Sequence, residues 1–140
     1  MNLREVGDLN LLTALIWGEA RGEPFDGKMA VAFVARNRKN DTRWPDTWVD
    51  VILQAEQFSC FNVEDVNYHE ILKAILPSRN SNWLNAMWRE CRYAAYGVLG
   101  NWRKDFTDGS NHYHAHYILP YWAKDQKVIY KIGSHLFYKL

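Results

Sequence analysis

A 140-residue chain with a net charge of +1 lacks the basic excess that a nucleic-acid backbone attracts, and no stretch approaches the roughly 20 apolar residues of a membrane helix. At 48% hydrophobic and 24% charged residues it has the composition of a globular protein, one domain over residues 1–140 that buries a core. Seven Trp, eight Tyr and six Phe are more than such a core needs to close, and flat rings suit a sugar-binding groove as well as an interior.

Leu9, Leu12, Ile16 and Ala20 recur at helical spacing, which predicts a first helix capped by Asp8 and carried through to Glu19, with Gly22 and Pro24 as its stop. The apolar run from Leu9 to Trp17 is broken by Asn10 and Thr13, its front end has no positive balance, and Gly18 and Glu19 stand where a cleavage site would be wanted. It is therefore not expected to be a signal peptide, and the protein is expected to be cytoplasmic when made.

Asp26 is the expected cap of a second helix over about residues 27–39, apolar around most of its circumference and so expected to be central. After a polar loop, Asp46 or Thr47 opens a short helix through Val49, Ile52 and Leu53. Gln57 to Phe61 shows no period and is expected to form a cleft wall. Val66, Ile71, Leu72 and Ile75 then mark a helix that Pro77 ends. The longest helix spans residues 81–99, with Leu84, Met87, Trp88, Cys91, Ala95 and Val98 on one face and Gly100 at its end. Residues 113–118, 128–132 and 136–138 read as short strands of a small C-terminal sheet, which makes the fold class α+β and mainly α. Cys60 and Cys91 have neither zinc nor redox spacing and read as buried free thiols.

Glu19 is the residue in an unusual place. A carboxyl beside apolar helical surface has its ionised form penalised and its pKa raised, which is how a protein keeps a proton available near neutral pH. Glycosidic cleavage needs such an acid at the leaving oxygen. Glu23, four positions on, would share a face with Glu19 if the helix continued, and would then raise its pKa further.

The run WGEARGEPFDGKMAVAFVARNR, followed by WPDTWVDVILQAEQFSCF, HYHAHYILPYWA and IGSHLFY, resembles the SleB/CwlJ-type cell-wall hydrolase family typified by spore cortex-lytic enzymes. The first block is the specific one. The resemblance implies a lysozyme-like, lytic-transglycosylase-like catalytic domain acting on peptidoglycan glycan strands as a monomer, without metal or cofactor. It implies Glu19 as the catalytic acid/base and places Gln57, Phe58, Ser59, His112, Tyr113, Trp122 and Glu23 at or near the substrate cleft. Gln57 would bond an N-acetyl or hydroxyl group or cap a helix end, Phe58 would stack on a sugar or join the core, and Trp122 would be a platform or core. Arg36, Asn37 and Arg38 match the family's pattern and read equally as substrate contacts or as salt bridges that hold the second helix. Lys28 stands where Gln is common, and Gly109-Ser110-Asn111 replaces a commoner Gly-Ala-Thr. The biological setting expected is a phage endolysin that reaches the wall after release.

Two rival readings come from other classes. His112, His114 and His116 alternate, so on a strand they would share one face. With His135 they could hold Zn2+ for an amidase that cuts the peptide stem; otherwise His114 and His116 are solvent-facing or edge positions. A non-catalytic wall-binding module would explain the aromatic count but not Glu19.

Overall fold

The computed structural model describes residues 1–55, 57–75 and 82–140. It is mainly helical, as expected: α1 (Asp8–Ala20), α2 (Phe25–Lys39), α3 (Trp48–Leu53), α4 (Val66–Ile75) and α5 (Asn82–Leu99) precede β1 (His112–Ala115), β2 (Tyr130–Ile132) and β3 (His135–Tyr138). The expected stop at Pro77 and the start of the longest helix at Ser81 fall outside the described residues.

α1 is the hub. Every residue from Leu11 to Gly18 is buried, and the helix packs against α2, α3, α4 and α5. Its apolar character is therefore circumferential, and the central role expected of α2 is shared with α1. Gly18 permits the close fit. A Cβ there would stand 2.7 Å from both Cys60 Cβ and Ile71 Cδ1, so only glycine lets the turn Ser59–Phe61 and α4 seat beside the helix's last turn. No helix among the described residues is long and apolar enough to cross a membrane.

Two expected caps are displaced. Gly7 occupies the N-cap of α1 in a left-handed conformation, which moves Asp8 into the first turn, where its charge still suits the helix dipole. Pro24 precedes α2, so the helix begins at Phe25 and Asp26 lies inside its first turn, ion-paired with Arg103. Thr47 does cap α3, its Oγ1 accepting the Asp50 N–H at 3.1 Å.

β3 is the middle strand of an antiparallel sheet, ordered β1-β3-β2. Tyr113 pairs with Phe137 and Ala115 with His135, so these side chains share one face; His112, His114, Leu136 and Tyr138 share the other. The first face closes on the helices through Phe137, which is fully buried, and a ring chain of Tyr130, Phe106 and Phe33. Trp122 covers the second, its ring 4.9 Å from His112 and 5.2 Å from Tyr138. The first strand is shorter than expected because the chain turns after Ala115, leaving residues 116–118 off the ladder.

Candidate active site

Glu19 sits in the last turn of α1, one residue past the glycine that brings the Cys60 turn and α4 close. Burial raises its pKa above the ordinary carboxyl value, and the charge of nearby Asp65 adds to the rise. The backbone N–H and thiol of Cys60 and the hydroxyl of Tyr113 oppose it by hydrogen bonding to the carboxylate. Tyr113 is a donor throughout, since burial and the Glu19 carboxylate push its own pKa well above the usual phenol. The Cys60 thiol is likewise held protonated, far above the usual value, by burial and the same carboxylate. The result is a carboxyl biased toward its protonated form and oriented by groups that stay protonated.

Two cavities meet at this carboxyl, sharing Gly18, Glu19 and Asn67. The larger, about 540 Å3, runs over the sheet side past Tyr113, Ala115, Tyr117, Pro120 and Trp122. The smaller, about 330 Å3, continues along the α1–α2 turn from Ala20 to Glu23. Arg38 stands in the wall of the larger one, almost wholly buried, donating from Nε to the Asn111 carbonyl at 2.8 Å and from Nη1 to Gln57 Oε1 at 3.4 Å. Its guanidinium lies over the Phe58 ring at 5.0 Å.

Of the residues expected at the cleft, Glu19, Gln57, Ser59, Tyr113 and Trp122 line the larger cavity. Glu23 lines the smaller one, but α1 ends at Ala20, so it does not continue Glu19's helical face. Its Oε1 accepts the Ser134 N–H at 2.7 Å and thereby ties the α1–α2 turn to the β2–β3 turn. Phe58 is a correction: at 2% exposure it is a core residue under Arg38 and offers no face to a sugar. His112 is not among the residues that line the larger cavity; it lies behind the lining residue Trp122, between it and Trp44, with its Nδ1 2.8 Å from Asn111 Oδ1. Burial and the charges of Arg38 and Arg43 lower its pKa to about 4.

The histidine face of the rival zinc reading forms only in part, with His112 and His114 on one side of β1. His116 follows the end of β1 and is exposed, whereas His114, expected at the surface, is buried with Nε2 2.7 Å from the Tyr138 hydroxyl and Nδ1 2.8 Å from the Ala115 carbonyl. His135 faces the opposite side of the sheet from His112 and His114, its Nδ1 3.6 Å from Glu23 Oε1. Among the described residues, no three His, Cys, Asp or Glu side chains are grouped as a metal site would need.

Asn67, Tyr117, Ile118 and Pro120 join the cleft without having been singled out in the sequence, and Arg38 joins it in a role the sequence left open. Arg38 stands in the polar last turns of a helix whose middle is apolar, and among the described residues its hydrogen-bond partners are carbonyl and amide oxygens, not the carboxylate of a salt bridge. Asn67 is fixed by Arg21, whose Nη2 donates to Asn67 Oδ1 at 2.9 Å across 46 positions, and no local pattern encodes that contact.

The profile of the Cell Wall Hydrolase family matches residues 22–138, starting just after Glu19. A spore cortex-lytic enzyme of Oceanobacillus iheyensis is 44% identical over 52 residues, 37% of this chain and 19% of that protein. The corresponding enzyme of Bacillus subtilis is 40% identical over 52 residues, 37% of this chain and 17% of that protein. The matched stretch is thus under a fifth of the length of these relatives. Among solved structures, the catalytic domain of the Bacillus cereus SleB protein superposes with a TM-score of 0.69 at 25% identity, covering 94% of this chain and 89% of that one. The catalytic domain of SleB from Bacillus anthracis, described as a germination-specific lytic transglycosylase, gives a TM-score of 0.69 at 24% identity over 94% and 93% of the two chains. With a family profile spanning nearly the whole chain and a fold shared with SleB catalytic domains, this protein belongs to the cell wall hydrolase family.

Proposed function

We infer that the chain cleaves the MurNAc–GlcNAc bond of peptidoglycan as a lytic transglycosylase, with Glu19 as its one acid/base. The observation that carries this reading is the position of Glu19: a carboxyl biased toward its protonated form by burial, at the seam where two cavities meet. A glycan strand laid through both would present a glycosidic oxygen there. Glu19 gives its proton to that oxygen as the bond to the anomeric carbon breaks. The resulting carboxylate takes the proton of the sugar's own C6 hydroxyl as its oxygen bonds to the anomeric carbon, closing a 1,6-anhydro ring with no water consumed.

Among the described residues, two carboxylates near Glu19 have contacts within the protein: Asp65 accepts the Asn67 N–H at 2.8 Å at the start of α4, and Glu23 accepts the Ser134 N–H at 2.7 Å. A transglycosylase needs no second carboxylate, because the nucleophile is the sugar's own hydroxyl.

The test is product analysis. Glu19→Gln should lower lysis of purified sacculi by about a hundredfold or more while leaving circular dichroism unchanged. Mass spectrometry of wild-type products should show 1,6-anhydro-muramyl ends. New reducing ends would refute transglycosylation in favour of hydrolysis, and freed peptide stems would refute glycan cleavage altogether.

A further inference from the structure

Between α2 and α5 a groove of about 630 Å3 opens, walled by Phe25, Tyr93 and Trp102, floored by Met29 and edged by Glu90 and Arg103. It shares no lining residue with the cavities at Glu19. Its rings face solvent, Tyr93 at 58% and Trp102 at 68% exposure. Tyr96 stacks on Trp102 with centroids 5.7 Å apart and planes 15° from parallel, which holds the indole as a fixed wall. Gly97 keeps the floor open, since a Cβ there would stand 2.9 Å from the Met29 methyl.

The polar groups decide what such a groove can take. Arg103 is ion-paired with Asp26 and lies over the Phe106 ring at 4.5 Å, and Glu90 is 3.4 Å from the buried Lys28 ammonium. Donors and acceptors are therefore set at the rim by contacts within the protein. An anionic membrane surface would gain no net attraction from a rim whose carboxylates, Asp26 and Glu90, are each paired with a cation, and an apolar protein partner would have to desolvate the Arg103–Asp26 pair. A pyranose strand fits both features, with C–H faces against the rings and hydroxyl and N-acetyl edges on the rim; the volume falls within the usual range of about 300–1,000 Å3 for ligand sites.

We propose that this groove is a second glycan-binding site, which holds N-acetylhexosamine strands of the wall apart from the cleft at Glu19. The choice of polymer rests on the reading that wall glycan is the substrate. The experiment measures binding and not cleavage, so the two can fail separately.

In the Glu19→Gln protein, Trp102→Ala and Tyr93→Ala should each weaken co-sedimentation with purified sacculi by about fivefold to tenfold. Trp102→Phe, which keeps an aromatic wall, should retain most of the binding. A β-1,4-linked N-acetylglucosamine tetramer should shift the Trp102 indole N–H resonance. Undiminished binding by Trp102→Ala would overturn the proposal. So would equal losses in the Phe and Ala variants, an unmoved indole resonance, or Trp102-dependent binding to phosphatidylglycerol vesicles in place of sacculi. A Glu19→Gln protein that still released glycan fragments would refute the cleavage reading and leave this comparison intact.

Discussion

Tyr113 and the burial of Glu19 act on the same proton in opposite directions. Burial raises the pKa of Glu19, whereas the Tyr113 hydroxyl, bonded to the carboxylate, lowers it. On the proposal that Glu19 is the general acid, it must be protonated at the start of each turnover, so activity should fall as pH rises through this pKa. Tyr113→Phe removes a lowering influence, and the alkaline limb of the pH–rate profile should move to higher pH, with a rate loss of roughly tenfold or less, well short of that for Glu19→Gln. A limb that stays in place would show that Tyr113 does not act on the acid. Linkage gives a second outcome. A carboxyl whose folded-state pKa is raised contributes stability below its unfolded value and loses it as pH rises through the folded one, so Glu19→Gln should melt above wild type on the alkaline side, the gap closing under acid conditions in thermal scans. The oddity of Glu19 was legible because helical periodicity is local. The burial of Phe58 under Arg38 and the seat of His112 against Trp44 were not, because both contacts join parts of the chain that no local period connects.

Among the elements, the β2–β3 turn and the α1–α2 turn hold each other through one side chain. Glu23 Oε1 receives the Ser134 N–H at 2.7 Å, and a Cβ on Gly133, whose φ is +55°, would stand 2.5 Å from that oxygen. The turn therefore needs glycine twice, for its left-handed backbone and for the carboxylate's approach. Glu23→Ala leaves the Ser134 N–H without this acceptor and should cost about 1–3 kcal/mol in chemical denaturation, whereas Glu23→Gln keeps an acceptor oxygen and should lose much less. Equal losses would mean that the charge, not the hydrogen bond, joins the turns. Gly22 and Pro24 read as a helix stop in the sequence, but the bond from Ser134 to Glu23, which lies between them, spans 111 positions and follows no period. The helices were legible for the converse reason: their spacing repeats within a few residues. Helix starts were less so, because Gly7 and Pro24 took the cap positions from the acidic residues beside them.

At the scale of the whole molecule, the position of Glu19 between two cavities bears on how a glycan is attacked. One cavity lies over the sheet and residues 117–122, the other over the α1–α2 turn, and Asn67 lines both. A site that only trims strand ends would have its acid at the closed end of a single pocket. Here about 540 Å3 lies on one side and about 330 Å3 on the other, so under the proposed function sugars would be held on both sides of the bond to be broken. With wall glycan as the proposed substrate, cleavage should fall within strands, and the mean glycan length of a digest should drop steeply before disaccharides accumulate. Chromatography of timed digests distinguishes this from disaccharide release in step with solubilisation, which would sink the two-sided arrangement. Asn67→Ala tests the same geometry from the protein side. It removes a group common to both cavities and the partner of Arg21, so KM on long glycans should rise severalfold, about 1 kcal/mol of lost binding, with kcat falling less.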